Sequence, residues 1–508
     1  MVIVHAGSRR SSRSAYHLSQ YRKPSSVFLV VLACLAILPF TTLGGGVGVT
    51  NPGATTWTVQ SLNNGASYQA FLSGTSGAVF TETNFTRIMY NDIEHSALCA
   101  FGCSISLDPG SYNQTQRLVI DIASITITGV SASVIYPSNV VYSSAFRPVF
   151  DIFASGFTAI GFKIDDYKRA NQTSTGLGFF MEAGTSNAFF NQLTIYNASD
   201  TGINIQGSNT IVSFSTIIST LCKVASRGDS CNTDYGILMG ATASSIRIDF
   251  NTISMFNFTD TSGVQMASQA SNIEVGSNEI FANSFGVSST WGVSVDIHDN
   301  KIHDNYGAGI LLTTPPVGSF KAGPVVISAN IIVNNGKEPG NDVVCNNGHC
   351  PGIMMRGTKT GFDGVSIVNN AIRDNQATPT QQYAIYIIST QYTNLTITGN
   401  SVGVSRSGQT IVLTVNPLKT WTIADNPGFN PQPVRGPLTA GATPFTYTNN
   451  DGYLEQIELI TIGDMTAFTC RGIANIIQVD AISPILNTLD TCVFTYIVNA
   501  PTYDVLPT

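Results

Sequence analysis

The feature that most constrains this chain is an asparagine that returns with an apolar residue two places after it: Asn251-Thr-Ile253, Asn278-Glu-Ile280, Asn300-Lys-Ile302, Asn330-Ile-Ile332, Asn370-Ala-Ile372 and Asn400-Ser-Val402. The intervals are 27, 22, 30, 40 and 30 residues, so the repeat is elastic. An alternating run precedes most of these asparagines (SIRI, NIEV, VSVDI, VVI, VSI, LTI), and a second, opened by Gly-Ile or Gly-Val, follows (GILM, GVQM, GVSS, GILL, GIMM). Strict alternation buries one face of a strand only, and short strands recurring every 22 or more residues can bury those faces together by winding round a common interior. The predicted fold is therefore all-β, a parallel β-helix. Val293, Val295, Ile297, Ile302, Ile310 and Leu312 are expected to point inward, with Asn300 and Asn305 at bends. An asparagine at a bend can hydrogen-bond its equivalent one coil away and so serve backbone groups that an aliphatic side chain would leave unpaired. The glycine before Ile310 is expected to supply a backbone angle that is costly for other residues.

On "VDIHDNKIHDNYGAGILL", "VSIVNNAIRDN" and "LTITGNSV" the chain resembles the right-handed parallel β-helix, pectate-lyase-like superfamily, from about Leu118 to Asp425. The resemblance implies a fold and not a reaction. "LDPGSYNQTQRLVIDIASITITG" is similar to the family's entry into the helix. The expected organisation is a signal peptide or signal anchor over 1–43, an N-terminal cap region over 44–117, the helix over 118–425, and a C-terminal linker and small β unit over 426–508. Such solenoids need caps because a single coil cannot bury its own face.

Composition agrees. Charged residues make up 11% of the chain, well below a typical globular share of roughly a quarter, while 43% is hydrophobic. The first 43 residues carry Arg9, Arg10, Arg13, Arg22 and Lys23 ahead of the apolar run Val27–Phe40, which is short for a membrane span and reads as an export signal. Removing that leader takes five of 24 Lys and Arg and none of 31 Asp and Glu, moving the formal net charge from −7 to −12. A balance this acidic disfavours nucleic acid as a partner and leaves the membrane only an N-terminal anchor. In an exported chain the eight later cysteines are expected to pair as sequence neighbours, Cys99/Cys103, Cys222/Cys231, Cys345/Cys350 and Cys470/Cys492, although eight cysteines allow 105 pairings.

Two clusters could carry chemistry. The first lies before the Gly-Ile strands: Asp200, Asp234, Asp260 and Asp304 on successive coils, with His349 and Arg356 further along. Carboxylates one coil apart and offset by a residue fall roughly 5 to 7 Å from each other, the range glycosidases use, which makes Asp234 and Asp260 the expected acid/base pair and Asp304, His349 and Arg356 the expected substrate contacts. "CNTDYGI" is similar to the Asn-Thr-Asp motif of polygalacturonase-type hydrolases, which on that resemblance gives Asp234 an acid/base role; Tyr235, which interrupts Asp-Gly, departs from the motif, and that family's reaction is not assigned. The second cluster faces outward beside the asparagines: Arg247, Asp249, Glu274, Glu279, Asp296, His298, Lys301 and His303.

The function expected from these features is that of a secreted or surface protein that binds polysaccharide or acts on it as a hydrolase or lyase, with the sequence leaving open whether it is an enzyme. An acidic sugar would call for Ca²⁺ or a local cationic pocket. The alternative is a non-catalytic surface or virion-type structural or adhesion protein forming homo-oligomers, since Leu238, Leu311, Met354, Tyr386 and Val412 are expected to lie exposed in an outward row.

Overall fold

The computed structural model describes residues 55–507 apart from 138–147, 166–176, 199, 220–234, 257–260, 268, 314–321, 338–349, 358–361, 390–391, 404, 408–409, 415–417, 419, 430–434, 450–454, 476, 479–484 and 488. The described strands stack into three long sheets, of 15 strands (sheet A), 11 strands (sheet B) and 11 strands (sheet C); apart from Ser67–Leu72 and Phe80–Glu82 at one end of sheet A, each strand is followed in its sheet by the strand three places on in the chain. One coil shows the plan: Val293–His298 lies in sheet A, Lys301–His303 in sheet B and Ile310–Thr313 in sheet C. All coil-to-coil pairings are parallel, and the register sets like on like: Val275↔Ile297↔Ile327, Ile280↔Ile302↔Ile332, Val287↔Ile310↔Ile353. This is the expected parallel β-helix.

Val295, Ile297, Ile302, Ile310 and Leu312 are buried in one continuous core. Val293 is only half-buried. The reason is local: Ser294 sits at φ 55°, as Asn209, Ser245 and Asn272 do at 51°, 57° and 54° on their coils, and this left-handed residue breaks the alternation before Val295.

The asparagines form the expected ladder. The Asn300 Nδ2 donates to Asn330 Oδ1 at 3.0 Å and to the Val275 carbonyl at 2.8 Å, while its own Oδ1 accepts from the backbone N–H and the Nδ2 of Asn278. The same bonds link Asn251, Asn278, Asn300, Asn330, Asn370, Asn400 and Asn426. A shorter ladder, Asn283–Asn305–Asn335–Gln381, turns the next corner. A left-handed residue precedes many ladder positions, as Asp299 and Asp304 do at 54° and 56°.

The glycines before the Ile/Val positions have another role than the one expected. Their φ lies outside the left-handed region; what excludes a side chain is the neighbouring coil. A Cβ on Gly286 would stand 2.5 Å from the Gly309 carbonyl oxygen and 2.5 Å from Ile302 Cγ2, and one on Gly236 2.5 Å from the Gly263 oxygen. Gly178, Gly202, Gly236, Gly263, Gly286 and Gly309 thus form a column that lets successive coils close at that corner.

At the N-terminal end, Thr55–Leu62 pairs antiparallel with Ser67–Leu72 and parallel with Cys103–Leu107, so the cap strands continue sheet A. A π-helical segment, Ile88–Glu94, packs Ile88, Met89 and Ile93 into the core, and Cys99–Cys103 forms a disulfide beside it. After the last coil, the Pro427 carbonyl accepts the Val402 N–H. Beyond it, a three-stranded antiparallel sheet (Arg435–Thr439, Thr502–Pro507, Glu455–Thr461) and a four-stranded one (Phe445–Thr448, Thr491–Tyr496, Met465–Cys470, Ile473–Ala474) enclose their own core, which includes Ile457, Phe468, Phe494 and the Cys470–Cys492 disulfide. Two neighbour pairs of cysteines are therefore formed as expected. Cys350 is also disulfide-bonded, while Cys345, Cys222 and Cys231 lie outside the described residues, as does the leader 1–43.

Candidate functional site

The outward column of sheet C reads, coil by coil, Asp151, Phe180, Asn204, Leu238, Gln265, Ser288, Leu311, Met354, Tyr386 and Val412. Apolar members of this column were expected to be exposed. Three are not: Leu311, Met354 and Tyr386 are 3%, 0% and 5% exposed, packed with Phe285, Ala308, Cys350 and Tyr383 into a second hydrophobic cluster outside the coil, while Leu238 and Val412 are half-buried.

Beside this cluster the same face opens into a cavity of about 450 Å³. Three columns of side chains line it. Tyr235 and Phe285 come from the strand starts, Leu238, Gln265, Ser288 and Leu311 from the column above, and Ala267, Thr290, Thr313 and Arg356 from the positions two residues on. The lining crosses five coils, so the opening runs along the helix axis. Its polar groups are partly tied together: Gln265 accepts from the Ser262 hydroxyl at 3.2 Å and donates to Thr290 Oγ1 at 3.5 Å, and Arg356 Nε donates to Thr313 Oγ1 at 3.4 Å. Arg356 makes no ion pair among the described residues and is the charged member of the lining. Beneath it the fully buried Tyr392 donates to the carbonyls of Leu312 and Arg356, and burial holds its phenol well above the usual range. The lining thus sets apolar and aromatic side chains beside amide, hydroxyl and guanidinium groups, the chemistry of a pocket for a polar ligand with apolar faces.

Of the residues singled out in the sequence, Arg356 stands in this cavity. Asp234, Asp260 and His349 lie outside the described residues; Asp234 and Asp260 immediately precede Tyr235 and Thr261 in the chain. Asp304 is turned elsewhere. Its carboxylate meets His303 Nδ1 at 2.6 Å and Lys337 Nζ at 3.1 Å at the corner after sheet B. Burial opposes its charge, but the bonds from His303 and Lys337 outweigh that and hold its carboxyl below the usual range.

His303 joins Asp304 to the second cluster, which forms two charge networks, one on sheet A and one on sheet B. His303 Nε2 meets Glu279 at 3.2 Å with its ring stacked on Phe281, Lys301 meets Glu279 at 2.6 Å, His298 bridges Glu274 and Asp299, and Arg247 meets Asp249 and Glu274. Burial works against a charge on His298, yet Asp299, Asp296 and Glu274 together raise its pKa. Nearly every charge here has an opposite neighbour, which is the pattern of a solvated ladder. Among the described residues, no group of three or more His, Cys, Asp or Glu is arranged to hold a metal ion.

Sequence reasoning did not select Tyr235, Gln265, Ser288, Thr290 or Thr313. The signal was present in the alternation: these residues hold outward or strand-start positions of the strands that carry the Gly-Ile pattern.

A family model described as a right-handed beta helix region matches residues 178–351. Among solved structures, the chain is similar to the Dettilon tailspike protein, with 13% identity, 80% of this chain and 87% of that chain covered, and a TM-score of 0.51. It is also similar to DFA-IIIase from Arthrobacter chlorophenolicus A6 (11% identity, 62% and 79% covered, TM-score 0.46) and to the A-module of the mannuronan C-5 epimerase AlgE4 from Azotobacter vinelandii (14%, 61% and 89%, TM-score 0.41). No curated protein matches the chain. At these identities the likeness is one of fold: the chain is a right-handed parallel β-helix.

Proposed function

We propose that the outer face of sheet C is a polysaccharide-binding groove of an exported protein. The observation that carries this reading is the cavity lining: a strip running across coils, with Tyr235, Leu238 and Phe285 offering apolar faces and Gln265, Ser288, Thr290, Thr313 and Arg356 offering donors and acceptors. A sugar ring presents C–H faces and a rim of hydroxyls, each both donor and acceptor, and needs that combination. The basic leader followed by an apolar run, with disulfides at Cys99–Cys103 and Cys470–Cys492, supports export to an oxidising compartment.

For cleavage in the same groove we assign the acid and base roles to Asp234 and Asp260, the residues before Tyr235 and Thr261, with His349 and Arg356 as substrate contacts. Proton transfer to a leaving oxygen needs one carboxyl still protonated near neutral pH, and two carboxylates in proximity achieve this by raising one pKa. An acidic sugar would meet Arg356 directly, or Ca²⁺ as a bridge.

The test is a glycan panel on the mature protein, reading binding together with new reducing ends and the absorbance of unsaturated products. Tyr235→Ala with Gln265→Ala should weaken binding of the best glycan about tenfold or more, the scale of one lost aromatic contact and its hydrogen bonds. Asp234→Asn should abolish turnover without lowering the melting temperature. Binding that survives the double substitution places the groove elsewhere; binding without products leaves an adhesion protein.

A further inference from the structure

The N-terminal cap holds a buried acid that the groove does not use. Glu94 ends the π-helical segment and is 2% exposed. Its Oε1 accepts the backbone N–H of Asp121 at 2.9 Å and of Ile122 at 3.2 Å, the two residues that follow Leu118–Ile120, the first strand of sheet C. One carboxyl therefore fastens the cap to the edge of the first coil. Neighbouring groups complete the contact: His95 Nε2 meets Asp121 Oδ1 at 3.2 Å, Tyr90 donates to Asp121 Oδ2 at 3.4 Å, and the Tyr90 and His95 rings stand edge to face at 4.3 Å.

We propose that Glu94 and the amides of Asp121 and Ile122 form a proton-controlled latch, which holds the cap on the first coil in acid and loosens as the pH rises. A carboxylate taken out of water is costly unless it is paired with a cation, and two backbone amides compensate only part of that cost. Burial pushes the Glu94 carboxyl up to about 7 against the opposing bonds from Ile122 and Asp121; the Asp121 charge raises it further and His95 opposes. The other charges around the segment are Arg117, near Tyr90, and Asp92 with Glu82 and Arg87. Asp92 is raised as well, by burial and by Glu82, with Arg87 opposing. The folded pKa of Glu94 lies above the unfolded 4.5, so the stability it contributes is fully present below pH 4.5 and is lost as the pH rises through about 7.

The experiment is amide hydrogen exchange of the full mature chain from pH 4.5 to 8, read as protection factors over residues 118–124. Wild type should lose protection there by about two orders of magnitude across that range, the linkage expected for a shift from 4.5 to about 7. Glu94→Gln keeps an acceptor for both amides and carries no charge, so its protection should be flat with pH; His95→Gln should keep the wild-type slope. Wild-type protection that does not change with pH overturns the latch, whether or not either variant folds. A slope retained in Glu94→Gln overturns it too, assigning the titration to Asp92 or to the His95–Asp121 pair.

Discussion

The first coils and the later ones solve the same corner in two ways. Between Phe150 and Phe190 the interior is aromatic: Phe150, Phe157, Phe162, Phe179 and Phe190 are all 0–1% exposed, with Phe150 and Phe179 stacked at 4.8 Å and Phe179 and Phe190 edge to face at 5.0 Å. Where later coils place asparagine, these coils place Phe162 and Leu193, both buried. Ser215 marks the change. Its hydroxyl accepts the Leu193 N–H, and its own N–H donates to Asn251 Oδ1, the first of the ladder asparagines. From there to Asn426 the corner is held by side-chain amides and the interior by Ile and Val. A β-helix corner thus needs either volume or hydrogen bonds, and a chain can pass from one solution to the other within a coil.

The largest effects should come from breaking each solution with the other's residue. Asn300→Leu leaves the Asn278 N–H and the Val275 carbonyl without their partner and interrupts the ladder, for a loss of about 2 to 6 kcal/mol at roughly 1–3 per buried group. Phe179→Ala opens a cavity among four other rings and should cost about 3–5 kcal/mol. Both are read by denaturant unfolding. If Asn300→Leu is nearly neutral, the amide ladder is not what holds the later corners.

Gly286→Ala tests the close approach of coils and should cost about 1–3 kcal/mol, because the new methyl meets the Gly309 carbonyl and Ile302. If the glycine served a left-handed backbone instead, alanine at Gly286 would be costly in the isolated turn as well as in the stacked coil.

Smaller and opposite in sign are the effects of two outward aspartates. Asp151 is 2% exposed and burial pushes it up to about 6, with Arg117 opposing and Glu182 adding. Its contribution is fully present below pH 3.8 and is lost as the pH rises through about 6. Asp304, held below the usual range, contributes above pH 3.8 and loses that as the pH falls through its lowered pKa. Asp151→Asn should flatten the melting-temperature profile between pH 4 and 6, and Asp304→Asn should flatten it only at the acid end.

Much of this was legible in the sequence, and for a physical reason. Every coil repeats the same constraint, so Asn251 to Asn400 and the alternating strands appear many times over and the fold follows from their spacing. The glycine column was visible as a pattern, but its cause was not, since a clash with the next coil depends on how closely the coils approach. The same holds for the outward row: Met354 and Tyr386 alternate as surface residues do, and only the packing around Cys350 and Tyr383 buries them. Asp304 was expected to contact substrate with Arg356 because both lie near Gly-Ile strands; its carboxylate instead meets His303, the residue before it, and Lys337 from the next coil, a pairing that depends on where the corner places them.

The proposed polysaccharide groove on sheet C is tested most directly by a crystal structure of the protein with the oligosaccharide that binds best. Sugar density is expected along the helix axis against Tyr235 and Phe285, with hydroxyls on Gln265, Thr290 and Thr313. Sugar bound over the charge network of Glu279, Lys301 and His303, with the sheet C cavity empty, would contradict it.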